Sequence, residues 1–300
     1  MEFGISGANT GPFATADGAR TMGTAAEAAG FDSVWAFEHV VAPRGYESRY
    51  PYAASGKAPM LEQVDLPDPI VWLTWVGAHT STLNLGTGIL ILPQRNPLVL
   101  AKELATLHAL SGGRLRLGIG AGWLREEFEA LDVPFERRGA RTDECVAALR
   151  ALWATDEGAS FHGEFHDFDD CVSLPSPPGH AVPITVGGHS EAAARRAGRL
   201  GDGYFPAIDA DTVAQGGVGA ALDRLEQLVT LARRTAEDHG RDPDALEVTV
   251  NWTRVPNAEM ADRLRAIDAD RLVVFAPTGD LDALPEALGE LHQQLADACG

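Results

Sequence analysis

Cysteine is scarce in this chain of 300 residues, and its three copies form no CxxC pair. An odd, widely spaced set argues against a disulfide framework and against a zinc knuckle. His162 and His166, in HGEFH, have a spacing that can suit a metal on a helix, but Gly163 and the alternating aromatic and polar residues around it do not favour a helix. No metal site is expected. The three cysteines are Cys145, Cys171 and Cys299.

Basic residues are also few, with 24 Lys and Arg against 43 Asp and Glu, for a formal net charge of −19. This balance disfavours binding to nucleic acid or to an anionic membrane surface. No run approaches the roughly 18 apolar residues of a membrane span. Met1 leads directly into the strand-like Glu2–Ser6, without the charged and apolar segments of a signal peptide. The expectation is a soluble, cytoplasmic protein.

Several motifs of common enzyme classes are missing. No GxGxxG follows the first strand-like run, and no GxSxG, HExxH or Walker pattern occurs. These absences weaken dinucleotide-binding, hydrolase and nucleoside-triphosphate interpretations.

The clearest organised stretch is Leu83–Trp123, in which two short apolar runs, LNLGTGILIL and RLRLGIG, are each closed by Gly or Pro. Both runs predict buried strands. Between them, Asn96-Pro97 opens a segment with helical apolar spacing that ends at Gly112-Gly113. A crossover of this length joins parallel strands, so the stretch predicts one βαβ unit with glycines at the carboxyl ends of both strands.

Strand-like and helical segments alternate to the end of the chain, which predicts a closed (β/α)8 TIM barrel forming a single domain over residues 1–300. A doubly wound open sheet with a second domain is the alternative. Among the helices, the pattern predicts Pro69–His79, capped by Asp68, and Ala220–His239 after an irregular linker, Ala207–Gly219. The other six predicted strands are Glu2–Ser6, Ser33–Phe37, Pro183–Val186, Gly203–Phe205, Leu246–Trp252 and Arg271–Phe275.

Two insertions are expected, near 41–66 and 157–180. The first is rich in Pro, Gly, Tyr and Ser, and its Tyr46, Tyr50 and Tyr52 argue for an ordered lid over a site. A surface excursion without a ligand is the alternative. The second insertion alternates aromatic and polar residues and predicts a small hairpin.

Glycines cluster where the third and fourth predicted strands end. Gly86 and Gly88 lie inside the third strand, and the fourth ends in GIGAG. Such glycines can let the backbone lie against a flat cofactor, or they can make room for a large neighbour inside the barrel.

Gly187-Gly188-His189-Ser190 precedes a predicted helix and could present amide N–H groups to a phosphate. Arg195, Arg196 and Arg199 on that helix would add positive potential. Alternatively, Ser190 is only an N-cap and the arginines pair with surface acids.

His39 follows Glu38 at the end of the second predicted strand. It is the best candidate for an acid or base, because strand ends carry the chemistry of barrels and its ordinary pKa lies near neutrality. A structural histidine is the alternative.

Three segments carry a family resemblance: AEAAGFDSVWAFEHV, the long run from LGTGILILPQRNP to GAGWLREEFEALDVPFERRGARTDE, and VPITVGGHSEAAARRAGRLGDGYFP. Together they resemble the luciferase-like flavin and deazaflavin oxidoreductases, in particular the branch that uses coenzyme F420. The resemblance extends from the first strand to about Pro206.

The resemblance implies a barrel that binds its cofactor at the carboxyl face. It implies a non-prolyl cis peptide at Gly88–Ile89, forming a bulge behind the deazaflavin ring. It also implies that Gly187, Gly188 and His189 meet the cofactor phosphate. Residues along the cofactor tail or ring edge would be Gly120, Ala121 and Gly122.

Glu38 and His39 match an acidic-His pair that is often Asp-His in relatives. Where some F420 enzymes have a glutamate after the fourth strand, this chain has Trp123, which leaves His39 as the proton donor. The expected walls of the substrate pocket are Tyr46, Tyr50, Trp72 and Trp123.

The resulting expectation is an F420-dependent oxidoreductase that transfers a hydride between the deazaflavin and a small organic substrate, acting as a homodimer. One alternative is an FMN-dependent luciferase-like monooxygenase. Another is a non-catalytic barrel that binds F420 or a different ligand.

Overall fold

The computed structural model describes residues 1–53, 55–58, 61–207, 210–253 and 255–300. Eleven strands are present in these ranges, and eight of them are parallel and close into a ring in the order β1, β2, β3, β5, β8, β9, β10, β11, with β11 paired to β1. The predicted (β/α)8 barrel is confirmed. The strands are β1 (Glu2–Ser6), β2 (Ser33–Ala36), β3 (Asn84–Thr87), β4 (Leu90–Ile91), β5 (Leu115–Gly120), β6 (Ala159–His162), β7 (Asp167–Cys171), β8 (Ile184–Gly187), β9 (Gly203–Phe205), β10 (Glu247–Asn251) and β11 (Arg271–Phe275).

Helices surround this ring, and their starts follow from capping residues in the sequence. Asp68 accepts hydrogen bonds from Ile70 N and Val71 N, and Asn96 caps the next helix in the same way. The helices are α1 (Ala16–Ala29), α2 (Pro69–His79), α3 (Pro97–Leu110), α4 (Arg125–Ala130), α5 (Arg138–Trp153), α6 (Glu191–Leu200), α7 (Ala210–Asp238), α8 (Ala258–Ala266) and α9 (Leu284–Cys299). Among the described residues, no helix is both long and apolar enough to cross a bilayer.

Two predicted segments differ from the structure by more than a one-residue shift at an end. The third strand is split into β3 and β4. The predicted linker Ala207–Gly219 instead contains the first turns of α7, which starts at Ala210. Gly217, with φ of 78°, interrupts the helical geometry, and this break is what placed the predicted helix start too late. Residues 208–209 of the predicted linker lie outside the described residues.

The second insertion is the predicted hairpin, with β6 and β7 antiparallel. Its turn is held to α5 by the Glu144 carboxylate, which accepts hydrogen bonds from Phe165 N at 2.7 Å and His166 N at 2.6 Å.

Most of the apolar core lies between the strands and the helices. A second, smaller cluster lies inside the barrel and consists of Trp35, Phe205 and Val273, with Ile89 packed against it. This cluster forms the floor on which the carboxyl end of the barrel is built.

Candidate active site at the carboxyl ends of the strands

The break between β3 and β4 is a β-bulge. Gly86 pairs with Arg116 and Leu90 with Ile119, so the β3–β4 strand carries one more residue than β5 over this interval. The bulge is held by Gly88 N, which donates to Ala36 O at 2.7 Å. Thr87 Oγ1 also donates to the carbonyl of the neighbouring strand, at Gly118 O, over 2.7 Å.

The expected bulge is therefore present, but the Gly88–Ile89 peptide is trans, and the prediction of a cis bond is wrong. The extra residue and its hydrogen bonds to both neighbouring strands are sufficient to displace the backbone here.

The glycines around the bulge make room for protein atoms. A Cβ added at Gly86 would overlap the Trp35 ring, and one added at Gly118 would overlap the Thr87 carbonyl oxygen. Gly120 and Gly187 face the Ile89 side chain. The packing alternative thus accounts for these four positions. Because these four glycines make room for their neighbours, the Gly88–Ile89 segment can lie half-exposed at the barrel mouth, above Trp35.

The floor beneath this segment is apolar and rigid. The Trp35 and Phe205 rings meet edge to face with centroids 4.9 Å apart, and both side chains are buried. Aromatic pairs of this geometry favour a single arrangement of the two rings.

The rim beside β5 continues through half-exposed Ala121 and Gly122. Gly122 has φ of 78°, and its carbonyl accepts a hydrogen bond from Arg138 Nε at 3.0 Å. A side chain at Gly122 would meet Ile91 and Phe128 at 2.7 Å, so this turn requires glycine.

The Gly187–Ser190 turn forms another part of the rim. Gly188 has φ of 126°, its N–H donates to Phe205 O at 3.2 Å, and its carbonyl accepts from the Tyr204 hydroxyl at 3.0 Å. Burial raises the pKa of Tyr204, which keeps that hydroxyl a donor. Ser190 Oγ accepts from Ala193 N, as expected of an N-cap. The amides of Gly188 and Ala193 are therefore engaged, and those of Glu191 and Ala192 in the first turn of α6 remain to meet an anion.

The arginines of α6 are paired with acids. Arg196 and Arg199 both contact Asp143 of α5, and Arg195 lies 3.7 Å from Glu191. These acids largely neutralise the positive charge of the three arginines, in agreement with the alternative that the arginines pair with surface acids.

Glu38 is buried and fully engaged. Its carboxylate accepts hydrogen bonds from Ile91 N and from Arg95, which also contacts Asp68 at 2.7 Å. Burial raises the pKa of Glu38, and the Arg95 charge opposes that effect. This carboxylate joins the end of β2 to β4 and to the cap of α2, so it acts on the site by holding the strand ends together.

His39 contacts a carboxylate that the sequence reasoning did not single out. Its Nδ1 lies 3.0 Å from Glu127 Oε2, and the exposed fractions of the two side chains are 15% and 0%. Glu127 belongs to α4, in REEFE, where alternating charges look like an exposed helix face. The only hint in the sequence was its position: some F420 enzymes have a glutamate where this chain has Trp123, and Glu127 follows four residues later.

Aromatic rings surround His39. The Trp123 ring lies 5.7 Å from the His39 ring, 5.5 Å from Tyr46 and 5.1 Å from Tyr50, all edge to face. Tyr50 in turn contacts Tyr52 at 5.4 Å. Three of the four predicted pocket residues thus form one wall with His39.

Trp72 lies apart from this wall. It is buried in the core, where its Nε1 donates to Phe13 O at 2.8 Å. This hydrogen bond holds it against the segment between β1 and α1, and among the described residues no ring contact joins it to the aromatic wall.

The first insertion lies over the barrel rim. Glu126 accepts hydrogen bonds from Glu47 N at 2.7 Å and Ser48 N at 3.0 Å. Partial burial acts to raise the pKa of Glu126, but hydrogen bonds from the Ser48 side chain and from backbone amides lower it to about 2, so the carboxylate is charged at neutral pH. Farther along the loop, a Cβ at Gly188 would lie 3.8 Å from the Tyr52 hydroxyl, so the loop reaches the Gly187–Ser190 turn.

Comparison with known proteins gives consistent results. The family model described as luciferase-like monooxygenase matches residues 1–298. The F420-dependent glucose-6-phosphate dehydrogenase of Kineococcus radiotolerans is 34% identical over 229 residues, which are 75% of this chain and 60% of that protein.

Two solved structures share the fold. A monooxygenase from Streptomyces bottropensis superposes with a TM-score of 0.71 at 22% identity, over 99% of this chain and 98% of that one. An F420-dependent secondary alcohol dehydrogenase, solved with an F420-acetone adduct, superposes with a TM-score of 0.73 at 18% identity, over 98% of both chains. At these identities the two likenesses show the barrel alone.

Proposed function

The chain belongs to the luciferase-like monooxygenase family, and from this premise we propose that it is an F420-dependent oxidoreductase that transfers a hydride between the deazaflavin and a small organic substrate. The observation that carries the proposal is the juxtaposition of a half-exposed bulge, a histidine and an aromatic wall at one end of the barrel. The F420-dependent name of a relative 34% identical supports the choice of cofactor.

The residues present fit a flat cofactor with an anionic tail. Gly88 and Ile89 offer a half-exposed surface backed by the buried Trp35–Phe205 pair. At the N-terminus of α6, the amides of Glu191 and Ala192 suit a phosphate. Between them, the rim at Gly120, Ala121 and Gly122 is half-exposed and free of large side chains.

F420, when bound, supplies a carrier for two electrons as hydride. The chain's own task is then to orient the substrate, to exclude water and to move one proton. Half-exposed Tyr50 and Trp123, packed on buried Tyr46, offer an aromatic surface that suits a small, mostly apolar substrate. His39 lies against this wall, with Nδ1 held by Glu127, so Nε2 is the atom that exchanges a proton with the substrate.

A titration tests the cofactor assignment. Purified protein should bind F420 saturably and FMN much more weakly, measured by equilibrium dialysis with each cofactor. The His39→Gln variant should retain F420 binding but lose turnover about 100-fold or more, the usual contribution of a positioned proton-transfer group. His162→Gln, on the exposed hairpin strand β6, is the matched control and should behave as wild type. Tight FMN binding without F420 binding would overturn the proposal.

The second candidate is an FMN-dependent monooxygenase, which the description of the family favours. A monooxygenase must react with oxygen through its reduced cofactor, whereas reduced F420 reacts slowly with air. Rapid, substrate-dependent oxygen uptake by the protein loaded with reduced FMN would therefore support this candidate.

We also propose a homodimer. Apolar side chains stand exposed on two adjacent helices: Val71 and Trp75 on α2 are 70% and 45% exposed, and Val99 on α3 is 58% exposed. Exposed apolar side chains on neighbouring elements are typical of interaction surfaces. Light scattering should give twice the mass of one chain, and a monomeric mass at micromolar concentration would refute the proposal.

A further inference from the structure

A single buried carboxylate holds both His39 and the start of the first insertion. Glu127 Oε2 faces His39 Nδ1 at 3.0 Å, and Oε1 accepts from Val40 N at 2.7 Å and Val41 N at 3.3 Å. Each oxygen thus has its own set of partners. Because the side chain is fully buried, these contacts replace the water that a carboxylate otherwise requires.

The chemistry of the partners fixes the direction of the hydrogen bond to His39. A backbone amide can only donate, so Oε1 acts as an acceptor, and an ionised carboxylate has acceptors alone. Toward an ionised Glu127 carboxylate, His39 Nδ1 can therefore only donate, and in the neutral ring Nε2 then keeps its lone pair. A histidine whose Nδ1–H is bound in this way has one tautomer and one ring orientation.

We propose that Glu127 is the positioning residue of the site, holding His39 in the Nδ1–H tautomer and coupling its orientation to the first residues of the loop above it. Trp123, edge-on to the His39 ring at 5.7 Å, restricts the ring from another side. The proposal rests on the proposed function for its catalytic consequence, although the tautomer itself is a property of the protein without cofactor.

The adjacent Glu126 provides a matched control. It lies on the same turn of α4 and also accepts hydrogen bonds from loop amides, at Glu47 and Ser48, but no contact joins it to His39 among the described residues. A role limited to fastening the loop would make the two glutamates equivalent. A positioning role makes them different.

The test is the tautomeric state of His39 in the protein without cofactor. Long-range proton–nitrogen NMR spectra of protein labelled with 15N-histidine distinguish the two tautomers, and the loss of one signal set in His39→Gln assigns His39 among the nine histidines. We expect a single Nδ1–H tautomer in the wild type and in Glu126→Gln. In Glu127→Gln the single amide oxygen is needed by Val40 N and Val41 N, so the amide nitrogen faces His39 Nδ1 as a donor, and we expect a shift to the Nε2–H tautomer.

An Nε2–H tautomer in the wild type would overturn the inference without need of any variant, as would an unchanged single tautomer in folded Glu127→Gln. With F420 and a turned-over substrate, Glu127→Gln should lower kcat about tenfold or more with little change in KM, because a misoriented base affects the reaction step. If F420 fails to bind while the tautomer result holds, the proposed function falls and the positioning role stands. If F420 binds and the tautomer result fails, only this inference falls.

Discussion

The two ends of the barrel each bury a charged side chain, and they use it differently. At the amino end, Arg271 is buried at the start of β11 and contacts three acids, Glu2, Asp32 and Glu247. At the carboxyl end, buried Glu127 contacts loop amides and His39. The first cluster joins the beginnings of strands to one another, whereas the second joins the barrel to a loop and to a titratable ring.

The difference shows why chemistry is expected at one end only. Despite burial, the charges of Asp32 and Glu247 raise the pKa of Arg271, so this arginine stays charged. In the carboxyl-end cluster, Glu127 contacts only Nδ1 of His39, so Nε2 lies outside this contact. This matches the general division of barrels into a stability face and a functional face.

Removing the charge of Arg271 should lower the stability of the protein more than any other change proposed below. Arg271→Met leaves three acids around an apolar side chain, and loss of one partner from a buried ionic cluster typically costs about 3–5 kcal/mol of unfolding free energy. Chemical denaturation should show a loss of this size. Arg20→Met, which removes an exposed pair with Asp17, is the control and should change stability by less than about 0.5 kcal/mol. Equal effects of the two variants would show that the Arg271 cluster is not a special stability element.

A substitution that disturbs the β3–β4 bulge should lower stability by nearly as much. Gly118→Ala places a methyl group on the Thr87 carbonyl oxygen, and we expect a loss of about 3 kcal/mol together with loss of cofactor binding. Gly289→Ala, at an exposed helical site with open space around it, should instead gain up to about 1 kcal/mol. A Gly118→Ala protein of wild-type stability would contradict the packing described for the bulge.

The amino-end cluster should also respond to pH. Burial raises the pKa of Asp32 to about 6 against the lowering effect of Arg271, above the value near 4 of an unfolded chain. The folded protein therefore holds this proton more tightly, and its contribution, about 3 kcal/mol, is complete below about pH 4 and lost as the pH rises through about 6. Unfolding of wild type and Asp32→Asn between pH 4 and 8 checks this. The variant should lack this part of the pH dependence, and an identical slope in both proteins would be evidence against it.

The smallest effect is expected at the loop. Glu126→Gln weakens two hydrogen bonds to the first insertion, which should cost about 1 kcal/mol or less. Cleavage within residues 41–66 by a protease at low concentration should become faster, while global unfolding barely changes. Unchanged cleavage would mean that other contacts hold the loop.

Local chemistry made much of this fold predictable. α2 begins and ends where Asp68, Pro69 and His79 indicated, and the hairpin followed from its alternation. The third-strand bulge was expected, but its peptide geometry depends on hydrogen bonds to two other strands, which a single segment does not encode.

The site was predictable only in part. His39 and Trp123 stood out because they follow strand ends, and the structure brings them together. Glu127 did not stand out, because the burial of a glutamate in REEFE depends on how α4 meets the loop. Trp72 was expected in the pocket wall but is buried in the core. A tryptophan that follows a long loop can pack in either place, and the sequence does not distinguish the two.

The central claim is that the carboxyl face holds F420, and the cofactor retained from a cell that makes both F420 and FMN tests it most directly. The absorbance spectrum of protein purified from such a host should be that of the deazaflavin in the wild type, and it should be lost in Gly118→Ala protein that remains folded. A flavin spectrum in the wild type would contradict the account.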